Sequence, residues 1–431
     1  MMKALRTFLL LAAAVALTCS CEWFGCGTTK KYEKVLIMYG AGFNDLSSDI
    51  YRDITELKNN ELPTLKSDFA VVIVNHSVGQ GGFRNPTQPV IMRLYKDKKA
   101  GAVLDTLSTL ESSDLLTKKE VMRSALNYIA GEFKSDSYGI VFSSHGTGWL
   151  PPGYYESPSK FDKLASTAAS IQKSGRRNVY PDALPSVDRN LPGPRVRAFG
   201  DEFYYNAGGT RMSQYLDIID FADAIPFRAE FIIMDACLMG CVEVAYQFKD
   251  KCHYLGFSPA EILSDGLVYN EATTLLLKSG DPDLEGFVDV CSDYYSNNGY
   301  ESFTFSLIDC SKLDALASAC RQAFSECRDG IAEVSHDKIQ RYYRYDYHWF
   351  YDLRDILAKS GVGASALSAV DAALGSCVIK EVHTASFLLE YGGFRLNSCC
   401  GLSMYLPNKG SAYLDGYYKT LAWNIATSLV Q

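Results

Sequence analysis

The chain of 431 residues is long enough for two or three domains, or for one large domain with a satellite. With 47% apolar and 21% charged residues it lies near the globular average, which excludes wholesale disorder, collagen and coiled coil. A net charge of −8, without a basic block, argues against a nucleic-acid partner, and a single apolar run at the N-terminus excludes a polytopic membrane protein.

Lys3 and Arg6 precede that apolar run, residues 8–17. Ten residues are too few to span a bilayer, which takes about 20, and they match the core of a secretory signal. Thr18-Cys19-Ser20-Cys21 follows, and a small residue before a cysteine here resembles the lipobox of bacterial lipoproteins, whose cysteine is diacylated and becomes residue one. Cys21, preceded by Ser20, is the better candidate. The expectation is a lipoprotein signal over 1–20, lipidation at Cys21, a tether over 21–30, and a lipid anchor in the bacterial cell envelope, at the outer membrane and facing the periplasm or the surface. An ordinary cleaved signal is the alternative. Thirteen cysteines in an exported chain raise the question of disulfides, but their spacing is irregular and the chain is long enough to build its own core. Cys291, Cys320 and Cys327 fall in helix-like stretches, as small buried side chains do. No CxxC pair has metal-site spacing, so no metal site is read from the sequence.

Residues 35–39 form a short apolar run closed by Gly40, and residues 69–74 form a second whose continuous hydrophobicity suits a strand buried on both faces. Residues 89–94 read as a shorter, more exposed strand. Residues 117–133 carry a helical stripe of Val121, Ala125, Tyr128 and Ile129, with Thr117 and Glu120 as a capping box. Next come a strand at 138–143, an amphipathic helix at 212–224, a strand at 231–234, a helix at 243–248 and a strand at 253–257. Such alternation predicts a mostly parallel sheet with helices on both faces. Residues 150–211 break the rhythm as a Pro/Gly-rich loop bearing Lys and Arg, of the length that is usually functional or disordered. Beyond residue 303, a strand (303–308), a helix (313–327), an aromatic stretch (342–351) and strand-like pieces at 386–390 and 401–406 read as a C-terminal subdomain, 311–431, continuous with a core of 31–310.

Ligands of open parallel sheets gather beyond the carboxyl ends of the strands. One strand here ends in His145-Gly146, and the next along the chain ends in Asp235-Ala236-Cys237. A thiol beside an imidazole is the minimum for nucleophilic acyl transfer: the imidazole takes the thiol proton and later returns it to the leaving amine. Gly146 lets the backbone approach a substrate, and the N–H groups of Gly146 and Cys237 could donate to an oxyanion. A packed cysteine and an ordinary histidine are the bland alternative, and the residue patterns alone leave both readings open.

Ser143-Ser144-His145-Gly146-Thr147-Gly148-Trp149 resembles the histidine motif of the clostripain family of cysteine peptidases. Asp235-Ala236-Cys237-Leu238-Met239-Gly240-Cys241-Val242-Glu243-Val244-Ala245 is similar to its nucleophile motif. Ser258-Pro259-Ala260-Glu261, Tyr351-Asp352-Leu353 and Gly401-Leu402-Ser403-Met404-Tyr405-Leu406-Pro407 follow in the family's order. The resemblance implies a caspase-like α/β/α sandwich, shared with gingipains, legumains and caspases, and hydrolysis of peptide bonds, typically after Arg or Lys. Cys237 then matches the nucleophile, His145 the general acid and base, and Asp235 an acidic residue that grips a basic P1 side chain. A carboxylate suits a guanidinium or ammonium partner, although its charge opposes thiolate formation nearby. A cap or turn role for Asp235 stays open, and Glu243 is expected to be structural.

Family members can be activated by cleavage between the two motifs after a basic residue. Arg176-Arg177 in the 150–211 loop is the candidate, with an uncut insertion as the alternative. Calcium is expected only through the resemblance, with Asp352 as its candidate residue, since no EF-hand run of carboxylates occurs. His76 reads as packed rather than functional, and residues 348–351 as part of an aromatic cluster. The expectation is a monomeric, exported cysteine endopeptidase acting on proteins or peptides. A non-catalytic peptide-binding or adhesion lipoprotein on the same scaffold is the alternative, and transpeptidation by the same dyad a third reading.

Overall fold

The computed structural model describes residues 30–76, 88–111, 115–163, 201–205, 208–297, 299–344, 349–407 and 411–431. The signal, Cys21, Arg176-Arg177 and His348 lie outside the described residues. In chain order the strands are β1 (Lys34–Gly40), β2 (Phe69–His76), β3 (Pro89–Asp97), β4 (Gly101–Thr109), β5 (Tyr138–Ser143), β6 (Asp201–Tyr205), β7 (Arg211–Tyr215), β8 (Ala229–Asp235), β9 (Cys252–Phe257), β10 (Thr304–Asp309), β11 (Tyr351–Asp352) and β12 (Val378–His383), followed by three two-residue strands. One nine-stranded sheet runs in the order β12-β10-β9-β8-β5-β1-β2-β3-β4. Its middle, β9 to β2, is parallel, and both edges are antiparallel.

The parallel strands are apolar because they have no wet face: every residue of β1 and β5 is buried, and all of β2 but the first. Each fully buried Val, Ile or Leu there is worth about 1.5–3 kcal/mol over an exposed one. Helices Lys119–Glu132, Ile218–Ala224, Val242–Phe248 and Ala422–Thr427 pack one against the next. Helix Leu313–Glu333 packs on Ala364–Cys377, whose chain continues directly into edge strand β12. The segment beyond residue 311 therefore completes the sheet begun by the core, and one apolar cluster runs from Tyr32 to Leu429. All ten described cysteines are free thiols, eight of them buried.

Six sequence expectations change. The strand-like pieces at 386–390 and 401–406 shorten to Ser386–Phe387 and Ser403–Met404, and the 150–211 loop contains strand β6. β3 extends to Asp97 and is largely buried, because β4, which is half-polar and was not anticipated, covers its outer side. Residues 212–215 are not helical: they pair with β6, and the helix starts at Ile218, where Asp217 caps it by accepting from the Ile219 N–H at 2.7 Å. The helix begun at 313 continues past 327 to Glu333, with Cys327 in a non-helical kink (φ −120°, ψ 25°). Thr117 makes no capping box, since helix Lys119–Glu132 has no side-chain cap at Lys118 and the Thr117 groups bind Glu202 instead.

Glu202 joins four segments near the carboxyl edge of the sheet. Its carboxylate, fully buried, accepts from the Phe43 N–H at 3.2 Å and from the Thr117 N–H at 2.7 Å and hydroxyl at 3.0 Å, and lies 2.7 Å from His76 Nε2. Burial raises this carboxyl, but His76 and the two backbone donors outweigh it and hold it below its usual 4.5. A carboxyl lowered on folding adds stability that is present above the unfolded value and disappears as the pH falls through the folded one. Glu202→Ala, which leaves His76 and three donors around a cavity, should cost about 3–5 kcal/mol at neutral pH, read from urea midpoints, and less in acid. A loss under about 1 kcal/mol would show that the four segments hold without this carboxylate.

Candidate active site

β5 and β8 lie side by side in parallel, with Ser143 opposite Asp235. His145 and Cys237 each follow two residues later, so both leave the same edge of the sheet at the same level. The Ser144 N–H still reaches the Asp235 carbonyl at 3.4 Å. Beyond it the two turns touch: a Cβ on Gly146 would lie 2.5 Å from the Cys237 carbonyl oxygen and 2.9 Å from the Ala236 Cβ. Only glycine fits there. Gly148 repeats the approach at φ 58°, where a Cβ would meet the Leu238 carbonyl oxygen at 2.6 Å.

Leu238, directly after the thiol, is itself left-handed at φ 63°, a conformation costly for a branched side chain. Hydrogen bonds hold it: the Leu238 N–H donates to Ala260 O at 2.8 Å, Gly240 N–H to Ser258 O at 2.7 Å, and Ser403 N–H to Gly240 O at 2.9 Å. The Cys237 turn is thus pinned between the 258–262 segment and the Gly401-Leu402-Ser403 stretch. Cys237 has no exposed surface. The Ile262 N–H donates to its Sγ at 3.0 Å, and Sγ lies 3.4 Å from the Ile262 carbonyl. The 258–262 segment is in turn tied by a buried ion pair, Arg344 on Glu261, with two contacts of 2.5 and 3.0 Å.

The His145 imidazole is almost wholly buried, and its Nε2 lies 2.7 Å from Asp45 Oδ1, a carboxylate 59% exposed on the turn after β1. That contact orients the ring. Asp45 carries no motif signal and was not singled out from sequence. Asp235 is fully buried, and its Oδ2 accepts from the Tyr269 hydroxyl at 2.7 Å. His76 is buried against Glu202 rather than lining the site. Asp352 caps helix Leu353–Lys359 through the Asp355 N–H and also accepts from Tyr342 and from the Cys400 N–H, so its carboxylate serves the backbone.

Trp149 of the histidine motif is buried against Tyr405 and Tyr418, and its Nε1 donates to the Trp349 carbonyl at 3.1 Å, within the stretch 348–351 expected to join an aromatic cluster. Glu243 anchors the same wall, accepting from the Tyr405 N–H at 2.9 Å and the Tyr418 hydroxyl at 2.6 Å.

The clostripain family matches this sequence over residues 38–166 and 209–427. No curated protein matches. Among solved structures, an inactive zymogen C11 protease from Parabacteroides distasonis is 23% identical, covers 93% of this chain and 99% of its own, and superposes with a TM-score of 0.69. A secreted C11 cysteine protease from Bacteroides thetaiotaomicron, "iotapain", is also 23% identical, over 92% of this chain and 99% of its own, with a TM-score of 0.69. A B. thetaiotaomicron C11 protease in complex with an irreversible peptide inhibitor gives 21% identity, with 92% and 99% covered and the same TM-score. At these identities the likeness establishes the fold, the α/β sandwich anticipated from sequence.

Burial drives the Glu243 carboxyl up to about 7, against the pull of its tyrosine and backbone donors. Raised on folding, this acid favours the native state fully below its ordinary value of 4.5 and progressively less as the pH rises through about 7. The loss should reach about 3 kcal/mol at most. Urea midpoints of wild type and Glu243→Gln should therefore diverge between acid and mildly alkaline pH, with the wild type losing more; parallel profiles would place the carboxyl at its ordinary value.

Proposed function

The chain belongs to the clostripain family of cysteine peptidases, and we propose that it hydrolyses peptide bonds with Cys237 as nucleophile and His145 as general acid and base. The observation that carries this reading is the register of β5 on β8, which brings the two turns into contact at Gly146. His145, held by Asp45, takes the thiol proton. The thiolate adds to the scissile carbonyl, and the N–H groups of Gly146 and Cys237 receive the oxyanion. His145 then protonates the leaving amine. Water, giving its proton to His145, attacks the thioester, so that the C–S bond breaks and the acid product and the Cys237 thiol are released.

The single chain is a latent form. A peptide carbonyl reaches Cys237 only if Ile262 moves off the thiol, and cleavage in the 150–211 loop, with Arg176-Arg177 as the preferred bond, permits that motion. The zymogen from P. distasonis, of the same fold, accords with this. Asp235 receives an Arg or Lys at P1, whose cation displaces the Tyr269 hydroxyl from Oδ2. The signal is removed, Cys21 is lipidated, and the monomeric enzyme works from the bacterial envelope on proteins or peptides, with calcium as a family-derived activator. No described helix is long and apolar enough to cross a membrane.

Fluorogenic peptides with Arg, Lys, Asp, Asn or Leu at P1 test this, with the loop intact and cut, and with and without calcium. Cleavage after Arg or Lys should rise on loop cleavage and vanish in Cys237→Ala. Asp45→Asn should lower kcat/KM about 10-fold, part of the ~10²–10⁴ that positioned acid–base catalysis supplies. Cleavage after another residue would discard Asp235 as the P1 partner. No turnover by the cut enzyme would favour a peptide-binding module, and ligation to an added amine would favour transpeptidation.

A further inference from the structure

Away from the catalytic turns, three donor atoms of different chemistry converge at the antiparallel edge of the sheet. Glu381 and His383 stand two residues apart on β12 and so share a face, opposite Ser306 and Thr304 of β10. The turn that carries Cys399 folds back onto that face. Gly401, at φ 83°, makes the approach: a Cβ there would lie 2.9 Å from Ser306 Oγ and 3.3 Å from Glu381 Cγ. Cys399 Sγ consequently lies 2.9 Å from Glu381 Oε1, and His383 Nδ1 lies 2.9 Å from the same oxygen. All three donor atoms fall within 4.8 Å of one another.

We propose that Glu381, His383 and Cys399 bind a divalent ion of the zinc class, with a fourth position open to water. The donor set selects the ion. Thiolate, imidazole and carboxylate together suit zinc, whose bonds to S, N and O run about 2.3, 2.0–2.1 and 2.0–2.2 Å, whereas calcium and magnesium take oxygen alone. Thiolate and carboxylate supply two negative charges against the two positive charges of the ion. Tetrahedral bonds of those lengths set ligand atoms roughly 3.3–3.7 Å apart, so the two short contacts open by about 0.5 Å as the ion replaces the shared hydrogens. Cys399 and Cys400 are the described cysteines that are not buried, and the His383 and Glu381 side chains are partly exposed, which gives the ion a path in. On binding, the Cys399 S–H bond breaks, an S–metal bond forms, and the proton leaves to solvent; His383 ligates as neutral imidazole through Nδ1. The Tyr342 hydroxyl, 3.0 Å from Cys399 Sγ and 2.8 Å from Asp352, is the outer partner that steadies the sulfur.

Cobalt(II) titrated into full-length, reduced Cys237→Ala protein tests the site without the dyad thiol. One equivalent should produce sulfur-to-cobalt charge-transfer absorption that zinc displaces. Cys399→Ser should abolish that band, Cys400→Ser should leave it, and His383→Ala should weaken binding more than the roughly 10-fold that loss of an outer-shell partner costs. Circular dichroism of each variant checks the fold. The assignment is overturned by the absence of a sulfur-to-cobalt band, by a band that survives Cys399→Ser, or by an affinity that His383→Ala leaves unmoved.

Discussion

Gly139 of β5 pairs with Phe231 of β8, and the space its missing side chain leaves is filled by the Phe231 ring; a Cβ there would sit 2.1 Å from Cζ. A slip of one residue between these strands would drive the ring into Tyr138 or Ile140 and turn every following side chain to the opposite face. The register is therefore set by packing in the dry middle of the sheet, several residues before any reactive group. His145 and Cys237 inherit it. Their turns meet because two parallel strands end together, and Gly146 allows the last approach.

Around those turns the chain buries carboxylates and gives each a specific set of donors. Glu202 gathers the turn after β1, the end of β2 and the start of helix Lys119–Glu132. Glu261 holds the 258–262 segment to Arg344. Glu243 fastens helix Val242–Phe248 to Tyr405 and Tyr418. Burying such groups is costly unless their hydrogen bonds are met, so each link fixes the position of one distant segment more than it adds net stability. This is how a site built on turns is held without disulfides among the described residues. The segment over Cys237 is part of the same framework, so uncovering the thiol means disturbing the Ile262 contacts and whatever Arg344 and Glu261 hold in place.

The parallel core was legible because strands buried on both faces must be apolar through their middles, and β1, β2, β5 and β8 each carry such a run. Edge strands β4 and β12 were not, since half-exposed strands mix polar and apolar residues without a clean alternation. Residues 212–215 read as helix because Met212, Tyr215 and Leu216 fall at helical spacing, whereas pairing with β6 decides the outcome. His145 and Cys237 stood out because each follows an apolar run. Asp45, Glu202 and the Glu381–His383–Cys399 cluster did not, because what defines them is proximity created by folding: Asp45 and His145 are 100 residues apart, and His76 and Glu202 are 126. Local pattern carries no trace of such pairs.

The central claim is that Cys237 is the nucleophile and depends on His145. A peptidyl acyloxymethyl ketone with lysine at P1, incubated with the loop-cut protein and followed by peptide mapping in a mass spectrometer, tests it most directly. A single thioether at Cys237, absent after His145→Ala, is the predicted result. Alkylation at Cys399 or Cys400, or labelling of Cys237 that persists without His145, would contradict it.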